Sequence, residues 1–182
     1  MKRLLLFAGL PGVGKTTISS KVSSRTGAKV IDLDDFKKTD VDPTLVKSQI
    51  DPPELRWSYY QKALEHVFSL FDQGIHTAIM DEVFHLDLLR AQLEVLCDEQ
   101  GVQVLWVEVT CPYETVSRRL HSKKREGHIL STEEALKMHL MFVEIFVKFS
   151  SGTKNHIVVN NENVDDVDSL VESILEKLAS LS

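Results

Sequence analysis

The segment at residues 9–17, GLPGVGKTT, constrains the fold of this chain more than any other. It contains Gly-x-x-x-x-Gly-Lys-Thr, follows an apolar run at residues 3–8 and opens a helical pattern that ends at Gly27. A buried strand, a glycine-rich turn and a helix in this order are the setting in which such a motif binds phosphate groups. Glycines let backbone N–H groups curl around phosphate oxygens, and the helix N-terminus adds partial positive charge. A glycine-rich turn without a ligand is the alternative.

The motif, known as Walker A, also predicts roles for two side chains. We expect Lys15 to reach the β- and γ-phosphates of a nucleotide and the Thr16 hydroxyl to ligate Mg²⁺. The backbone of the loop and the first turn of the helix would surround the phosphates. The expected nucleotide-binding residues here are Gly9, Gly12, Val13, Gly14, Lys15, Thr16 and Thr17.

Strand-like and helix-like segments alternate along the chain. Apolar runs predict strands at 3–8, 29–33, 76–80, 102–109 and 156–159, and amphipathic patterns predict helices at 16–26, 54–73, 86–99, 113–124, 131–148 and 164–181. This alternation predicts an α/β protein with a five-stranded parallel sheet and helices on both faces, a three-layer αβα sandwich. No repeat or linker divides the 182 residues, so one domain over 1–182 is expected.

Composition excludes several classes of protein. The chain has 21 Lys and Arg against 27 Asp and Glu, a net charge of −6, which disfavours a protein that coats a nucleic acid duplex. Cys97 and Cys111 are too few for a disulfide framework or a zinc cluster. No apolar run approaches the ~18 residues needed to span a bilayer. We expect a cytoplasmic protein with no membrane partner.

The motif and the order of elements resemble the P-loop kinases of the nucleoside-monophosphate-kinase type. Within them the chain is similar to small-molecule phosphotransferases such as chloramphenicol phosphotransferase, shikimate kinase and the "predicted kinase" families. The resemblance covers essentially the whole chain, although only the phosphate loop is highly specific. It implies ATP and Mg²⁺ as cofactors, a P-loop NTPase sheet in the order 2-3-1-4-5, an acceptor-binding insert at about 35–60 and a lid at about 118–132.

Carboxylates follow the second predicted strand. If strand alternation continues, Asp32 and Asp34 point to one side and Asp35 to the other. The resemblance to the Asp-x-Asp of shikimate kinase implies that one carboxylate serves the metal and the other holds the acceptor hydroxyl. We expect Asp32 to be a metal ligand and Asp34 to be the catalytic base. The alternative is that Asp34 or Asp35 only caps a helix that begins near Phe36.

A second acidic pair ends the third predicted strand, where HTAIMDEVFH gives a Walker-B-like arrangement. Asp81 is expected to hold Mg²⁺ through water, so the choice between Asp32 and Asp81 stays open. Glu82 would orient an attacking water in an ATPase or contact the acceptor in a kinase. A helix-capping pair is the alternative for both residues, and His85 is expected to be structural.

A basic segment lies where the resemblance puts the lid. Its five cations are Arg118, Arg119, Lys123, Lys124 and Arg125. We expect Arg119 and Arg125 to contact the transferring phosphoryl group and act in catalysis. Arg118 is expected to contact the base or the phosphates of the nucleotide, although helix spacing does not separate it from Arg119. A solvated basic face is the alternative.

The acceptor pocket is expected between the second and third strands. Aromatic and basic residues of this region are Phe36, Arg56, Trp57, Tyr59 and Tyr60. Arg56 would pair with an anionic acceptor, although a surface arginine is commoner. Some of the aromatic residues are expected in the core, because Trp57, Tyr60 and Leu64 share a helix face.

Together these patterns predict an ATP-dependent kinase that moves the γ-phosphate of ATP to a hydroxyl of a small molecule. One alternative is a switch or ATPase in which hydrolysis itself is the function, which Glu82 keeps open. Another is a polynucleotide 5′-hydroxyl kinase, for which Lys37, Lys38, Lys47 and Arg56 offer thin support. A nucleic acid partner is therefore not expected.

Overall fold

The sheet is built around β1 (Lys2–Ala8), whose residues Leu4 to Ala8 are fully buried. The computed structural model describes residues 1–37, 50–122 and 131–181, without the side chains of Lys37 and Val164. The other strands are β2 (Lys29–Ile31), β3 (Thr77–Asp81), β4 (Val102–Thr110) and β5 (His156–Asn160). A continuous apolar run such as β1 is typical of a parallel strand that is covered on both faces.

All strand pairs are parallel and the strand order is 2-3-1-4-5. The order implied by the resemblance is thereby confirmed. In β1, Leu5 pairs with Ile79 of β3 and with Leu105 of β4. The helices of the described ranges are α1 (Lys15–Thr26), α2 (Asp34–Lys37), α3 (Pro53–Asp72), α4 (Asp87–Glu99), α5 (Tyr113–Ser122), α6 (Thr132–Ile145) and α7 (Val167–Ala179).

Alternate residues of β1 enter two separate cores, because successive side chains of a strand point to opposite faces. Leu5 and Phe7 belong to a cluster that contains apolar residues of α1 and α7. Leu4 and Leu6 belong to a cluster that contains apolar residues of α3 and α4. Each buried Leu stabilises the fold by roughly 1.5–3 kcal/mol relative to an exposed one. The predicted three-layer αβα sandwich is therefore correct.

Some predicted boundaries differ from the structure. Strand β2 ends at Ile31 rather than at residue 33, and the short helix α2 follows it. The capping box at Ser131 and Glu134 is confirmed, but α6 ends at Ile145 instead of about residue 148. It ends there because the N–H of Val147 donates to the carbonyl of His85 on another segment. A 3₁₀ turn (Val164–Asp166) precedes α7 in the region predicted as one helix.

Among the described residues, no helix has the length and apolar character that crossing a bilayer requires.

Candidate active site

The phosphate loop lies between the end of β1 and the start of α1. Its three glycines, Gly9, Gly12 and Gly14, have φ of 146°, 83° and 96°, so the backbone turns in conformations that other residues rarely adopt. Gly14 is the N-cap of α1, and no side chain caps the helix there. The first turn of α1 thus keeps N–H groups open for an anion, as the sequence predicts.

Lys15 folds back over this loop. Its ammonium group donates to the carbonyls of Gly9 at 2.9 Å and Leu10 at 3.2 Å. The same nitrogen lies 3.9 Å from Oδ1 of Asp81, and the side chain is only 10% exposed. The carbonyls therefore hold the cation at the mouth of the loop, where it can exchange them for phosphate oxygens.

Thr16 and Asp81 meet directly in front of the loop. The Thr16 hydroxyl donates to Oδ2 of Asp81 at 2.8 Å, which joins the start of α1 to the end of β3. Burial raises the pKa of Asp81, while Lys15 and the hydrogen bond from Thr16 oppose that rise. Asp32 lies near enough for its charge to add a small upward push to the pKa of Asp81.

These donors fit a magnesium ion that is shared with a nucleotide. Mg²⁺ usually takes one or two protein oxygens together with phosphate oxygens and waters. The hydroxyl of Thr16 and the carboxylate of Asp81 supply such a pair. In the described ranges, no cluster of three or more His, Cys, Asp or Glu residues forms an all-protein metal cage. Asp81 is thus better situated for the metal than Asp32.

Asp32 and Asp34 do not follow the alternation expected of a strand, because β2 ends at Ile31. Asp32 is exposed, and its Oδ1 accepts a hydrogen bond of 2.9 Å from the N–H of Asp34. The carboxylate of Asp32 therefore binds the N–H of the first residue of α2. Asp34 is half-buried in the first turn of α2, at the carboxyl edge of the sheet.

A buried charged cluster lies beside the end of β3. Arg56 on α3 is 4% exposed, which contradicts the commoner expectation of a surface arginine. Its Nη1 lies 3.4 Å from Oε1 of Glu82, and its Nη2 lies 4.0 Å from Oδ2 of Asp51. Glu82 and Tyr60 help to raise the pKa of Arg56 against the effect of burial. The same Oε1 of Glu82 also accepts a hydrogen bond of 2.8 Å from the N–H of Val83, so this one oxygen contacts both residues.

Aromatic residues complete this cluster, as partly predicted. Tyr59 and Tyr60 are buried, and Trp57 packs at the edge of the same core. The guanidinium of Arg56 lies 5.7 Å from the ring centroid of Phe142, which in turn packs edge-on against His85. His85 is buried, and burial together with Arg56 lowers its pKa to about 4. The structural role expected of His85 stays a prediction.

Two described residues of the predicted lid, Arg118 and Arg119, make contacts within the protein. Arg119 donates to the carbonyls of Asn161 at 2.7 Å and Glu162 at 2.9 Å, both in the loop that follows β5. A guanidinium carries five N–H donors, so these two bonds leave donors of Arg119 for a phosphate contact. Arg118 donates to the Thr115 hydroxyl at 3.4 Å. The other residues expected in the lid lie outside the described ranges: Lys123, Lys124 and Arg125.

Two residues next to the phosphate loop were missed from the sequence. Asn161 follows β5, and its Nδ2 donates to the carbonyl of Val13 at 2.8 Å. His139 lies on α6, and its Nδ1 contacts the carbonyl of Pro11 at 2.7 Å. Each is more than 120 residues away from the loop in the sequence, so no local pattern points to either contact. The only available signal was topological, since β5 must end at the same edge of the sheet as β1.

Fold and site together define a P-loop protein with kinase-like architecture. A family model described as an AAA domain matches residues 4–144, and the chain belongs to this P-loop family. No curated protein matches the chain.

Solved structures of P-loop small-molecule kinases share the fold. A sugar kinase from Janibacter sp. HTCC2649 has a TM-score of 0.76 and 22% identity over 100% of this chain and 96% of that chain. A gluconokinase from Sinorhizobium meliloti 1021 has a TM-score of 0.71 and 16% identity over 97% and 91%. The APS kinase of Mycobacterium tuberculosis, solved with AMPPNP and APS, has a TM-score of 0.65 and 18% identity over 98% of both chains.

Proposed function

We propose that the protein is an ATP-dependent phosphotransferase that moves the γ-phosphate of ATP to a hydroxyl group of a small molecule. The observation that carries this proposal is the meeting of Lys15, Thr16 and Asp81 at the mouth of the glycine loop. A cation, a hydroxyl and a carboxylate in one place are what a magnesium-bound nucleoside triphosphate requires. The kinase folds among the solved structures support the same class of reaction.

Different residues of the chain would bind the phosphates and the metal ion. The backbone of Gly9 to Thr17 binds the phosphates, and Lys15 exchanges its carbonyl partners for β- and γ-phosphate oxygens. Mg²⁺, held by Thr16 and Asp81, would neutralise charge on those oxygens when bound. Asp32, near Asp81, is the second candidate metal ligand.

Asp34 is the proposed catalytic base. It would orient the acceptor hydroxyl and accept its proton late in the transfer. The hydroxyl oxygen forms a bond to the γ-phosphorus, and the bond between that phosphorus and the bridging oxygen of ADP breaks. Asp34 lies in the first turn of α2, three residues after the end of β2, and ligands of open parallel sheets bind beyond the carboxyl ends of the strands. Arg119 and Arg125 are proposed to stabilise the transferring group, and Arg118 to contact the nucleotide.

The acceptor pocket is proposed to lie between α2, α3 and the end of β3. The buried arginine of this region, Arg56, already faces two carboxylates, those of Glu82 and Asp51. This balance supports an acceptor rich in hydroxyl groups rather than one whose charge Arg56 alone must neutralise. A sugar or another polyol is the class of acceptor that suits these groups.

A screen with labelled ATP tests the proposal. Nucleosides, sugars and hydroxylated antibiotics are offered as acceptors, and labelled product is measured. We expect Lys15→Ala to abolish turnover of ATP, and Asp34→Asn to abolish transfer while ATP binding is retained. Undiminished transfer by Asp34→Asn would disprove the base assignment. Asp35→Asn, an exposed neighbour on the same helix, is the matched control.

The same screen tests the hydrolysis alternative. Fast hydrolysis of ATP without any acceptor, abolished by Glu82→Gln, would favour a switch or ATPase. The pairing of Glu82 with Arg56 and the N–H of Val83 weighs against a role in orienting water. Retained transfer to mononucleosides with no gain from oligonucleotides would exclude the polynucleotide kinase.

A further inference from the structure

Two carbonyl groups of the phosphate loop have side-chain partners that the sequence motif does not predict. When successive N–H groups of a loop turn inward to face an anion, the carbonyls between them turn outward and need donors of their own. In this protein two side chains from distant elements supply such donors. Asn161 donates to the carbonyl of Val13, and His139 contacts the carbonyl of Pro11.

We propose that Asn161 and His139 are positioning residues that hold these two carbonyls outward and so keep the N–H groups of the loop aimed at the phosphates. The inference rests on the proposed nucleotide function. It goes beyond the Walker A motif, because neither residue belongs to the motif and neither is expected to touch the nucleotide.

Backbone hydrogen bonds on both sides hold Asn161 in position. Its N–H donates to the carbonyl of Thr110 at 2.8 Å, and its carbonyl accepts from Arg119 at 2.7 Å. With the backbone fixed on both sides, the side chain has little freedom and its Nδ2 points at Val13. The residue is 4% exposed, and its Oδ1 is buried with no hydrogen-bond partner among the described residues. Burial of an oxygen without a partner is unfavourable. The burial of Asn161 therefore indicates that the hydrogen bond from its Nδ2 to the loop is important.

The space around Gly14 shows how closely Asn161 approaches the loop. A Cβ atom added to Gly14 would collide with Nδ2 of Asn161. Side chain and loop are therefore fitted to each other at the residue that caps α1. This contact also links Arg119 to the loop, since the arginine holds the carbonyl of the same asparagine.

His139, on α6, contacts the same loop at Pro11. Its Nδ1 lies 2.7 Å from the carbonyl of Pro11 and must carry the proton, because a carbonyl oxygen only accepts. His139 is 2% exposed, and the centroid of its ring lies 5.6 Å from that of Tyr113. Pro11 has no N–H of its own to anchor that part of the loop.

Binding of ADP and adenosine, measured by displacement of a fluorescent nucleotide, tests this role. We expect Asn161→Leu and His139→Phe each to weaken ADP binding about tenfold while adenosine binding is unchanged. A merely structural role would weaken both ligands alike or neither. Unlike His139→Phe, the variant His139→Asn should bind ADP as well as the unaltered protein does. The asparagine Nδ2 can occupy the position of the imidazole Nδ1.

Matched controls come from the same chain. Asn163→Leu alters the same loop at a residue whose side-chain amide donates to Asp166, and His76→Phe alters an exposed histidine that directly precedes β3. Both should bind ADP normally. Failure of the unaltered protein to bind ADP would overturn the proposed nucleotide site. Normal ADP binding by Asn161→Leu and His139→Phe, or equal losses of ADP and adenosine, would overturn the positioning role alone.

Discussion

The hydroxyl of Thr16 and the carboxylate of Asp81 are joined by a hydrogen bond of 2.8 Å, although 65 residues separate them in the sequence. The contact exists because β1 and β3 are adjacent and parallel, so the loop after β1 and the end of β3 share one edge of the sheet. Adjacency of these two strands is thus what assembles the proposed metal site.

From this pairing we predict that Asp81→Asn lowers ATP turnover by at least about 100-fold and raises the Mg²⁺ concentration for half-maximal activity. The amide keeps the shape of the side chain but loses the negative charge that a cation requires. Activity as a function of Mg²⁺ concentration provides the measurement. Asp72→Asn removes an exposed carboxylate that pairs with Lys2 and should change neither quantity. An unchanged Mg²⁺ dependence in Asp81→Asn would refute the metal assignment.

A second prediction concerns Gly14 and separates backbone strain from collision. Gly14→Ala and Gly27→Ala both put a side chain at positive φ, but a Cβ at Gly27 meets no atom of the described residues within 4 Å. We expect Gly27→Ala to cost about 1 kcal/mol of unfolding free energy and to leave ADP binding intact. Gly14→Ala should also abolish ADP binding, because its Cβ displaces Asn161. Urea unfolding and nucleotide titration check both, and equal ADP binding by the two variants would contradict the role of the collision.

A third prediction concerns Arg90, which ties α4 to the segment after α6. Arg90 is 6% exposed and donates to the carbonyls of Phe84 at 2.8 Å and Val147 at 2.9 Å. Its guanidinium also lies 4.2 Å from the ring centroid of Phe149. Phe84 has φ of 49°, a conformation that costs about 1–3 kcal/mol in a non-glycine residue and that the bond from Arg90 supports.

We therefore expect Arg90→Leu to lower the free energy of unfolding by about 2–4 kcal/mol, since three backbone carbonyls lose a buried charged donor. Arg25→Leu removes an arginine of an exposed ion pair with Glu172 and should cost less than about 1 kcal/mol. Denaturant unfolding of both variants measures the difference. Similar losses would show that the buried contacts contribute no more than a surface pair.

The parts of the molecule that could be predicted from sequence depend on local spacing. The apolar run of β1 and the glycines of the loop follow from residues that are close in sequence, so element types and the motif were correct. The predicted end of β2 was wrong, because Asp32 accepts a hydrogen bond from the N–H of Asp34, where a helix begins. A run of acidic residues has no hydrophobic period that predicts this helix.

The missed parts of the candidate site depend on contacts between distant elements. The sequence pattern favours a surface position for Arg56 on an amphipathic helix. In the structure, Glu82, Asp51 and Phe142 of other segments contact it. Asn161 and His139 are polar residues in segments with no motif, and only the assembled sheet brings them to the loop. Spacing rules describe one element at a time, whereas each of these contacts joins residues of different elements or loops.

The last prediction concerns pH and His85. Burial lowers the pKa of His85 to about 4, and the nearby charges of Arg56 and Arg90 act in the same direction, while Glu82 opposes them. An unfolded histidine titrates near 6.5, so between pH 6.5 and 4 the unfolded chain binds a proton that the folded chain does not. The contribution of His85 to stability is therefore complete above pH 6.5 and is lost progressively as the pH falls toward 4. Its size is at most about 3 kcal/mol.

His85→Gln should flatten this part of the stability profile, because glutamine does not titrate. Unfolding free energies of the two proteins are compared at several pH values between 7 and 4. We expect the difference between them to change in favour of the variant as the pH falls, whatever the cost of the substitution at pH 7. His76→Gln, at an exposed position, should keep the slope of the unaltered protein. A profile of His85→Gln parallel to that of the unaltered protein would show that this histidine is not kept neutral by the buried cluster.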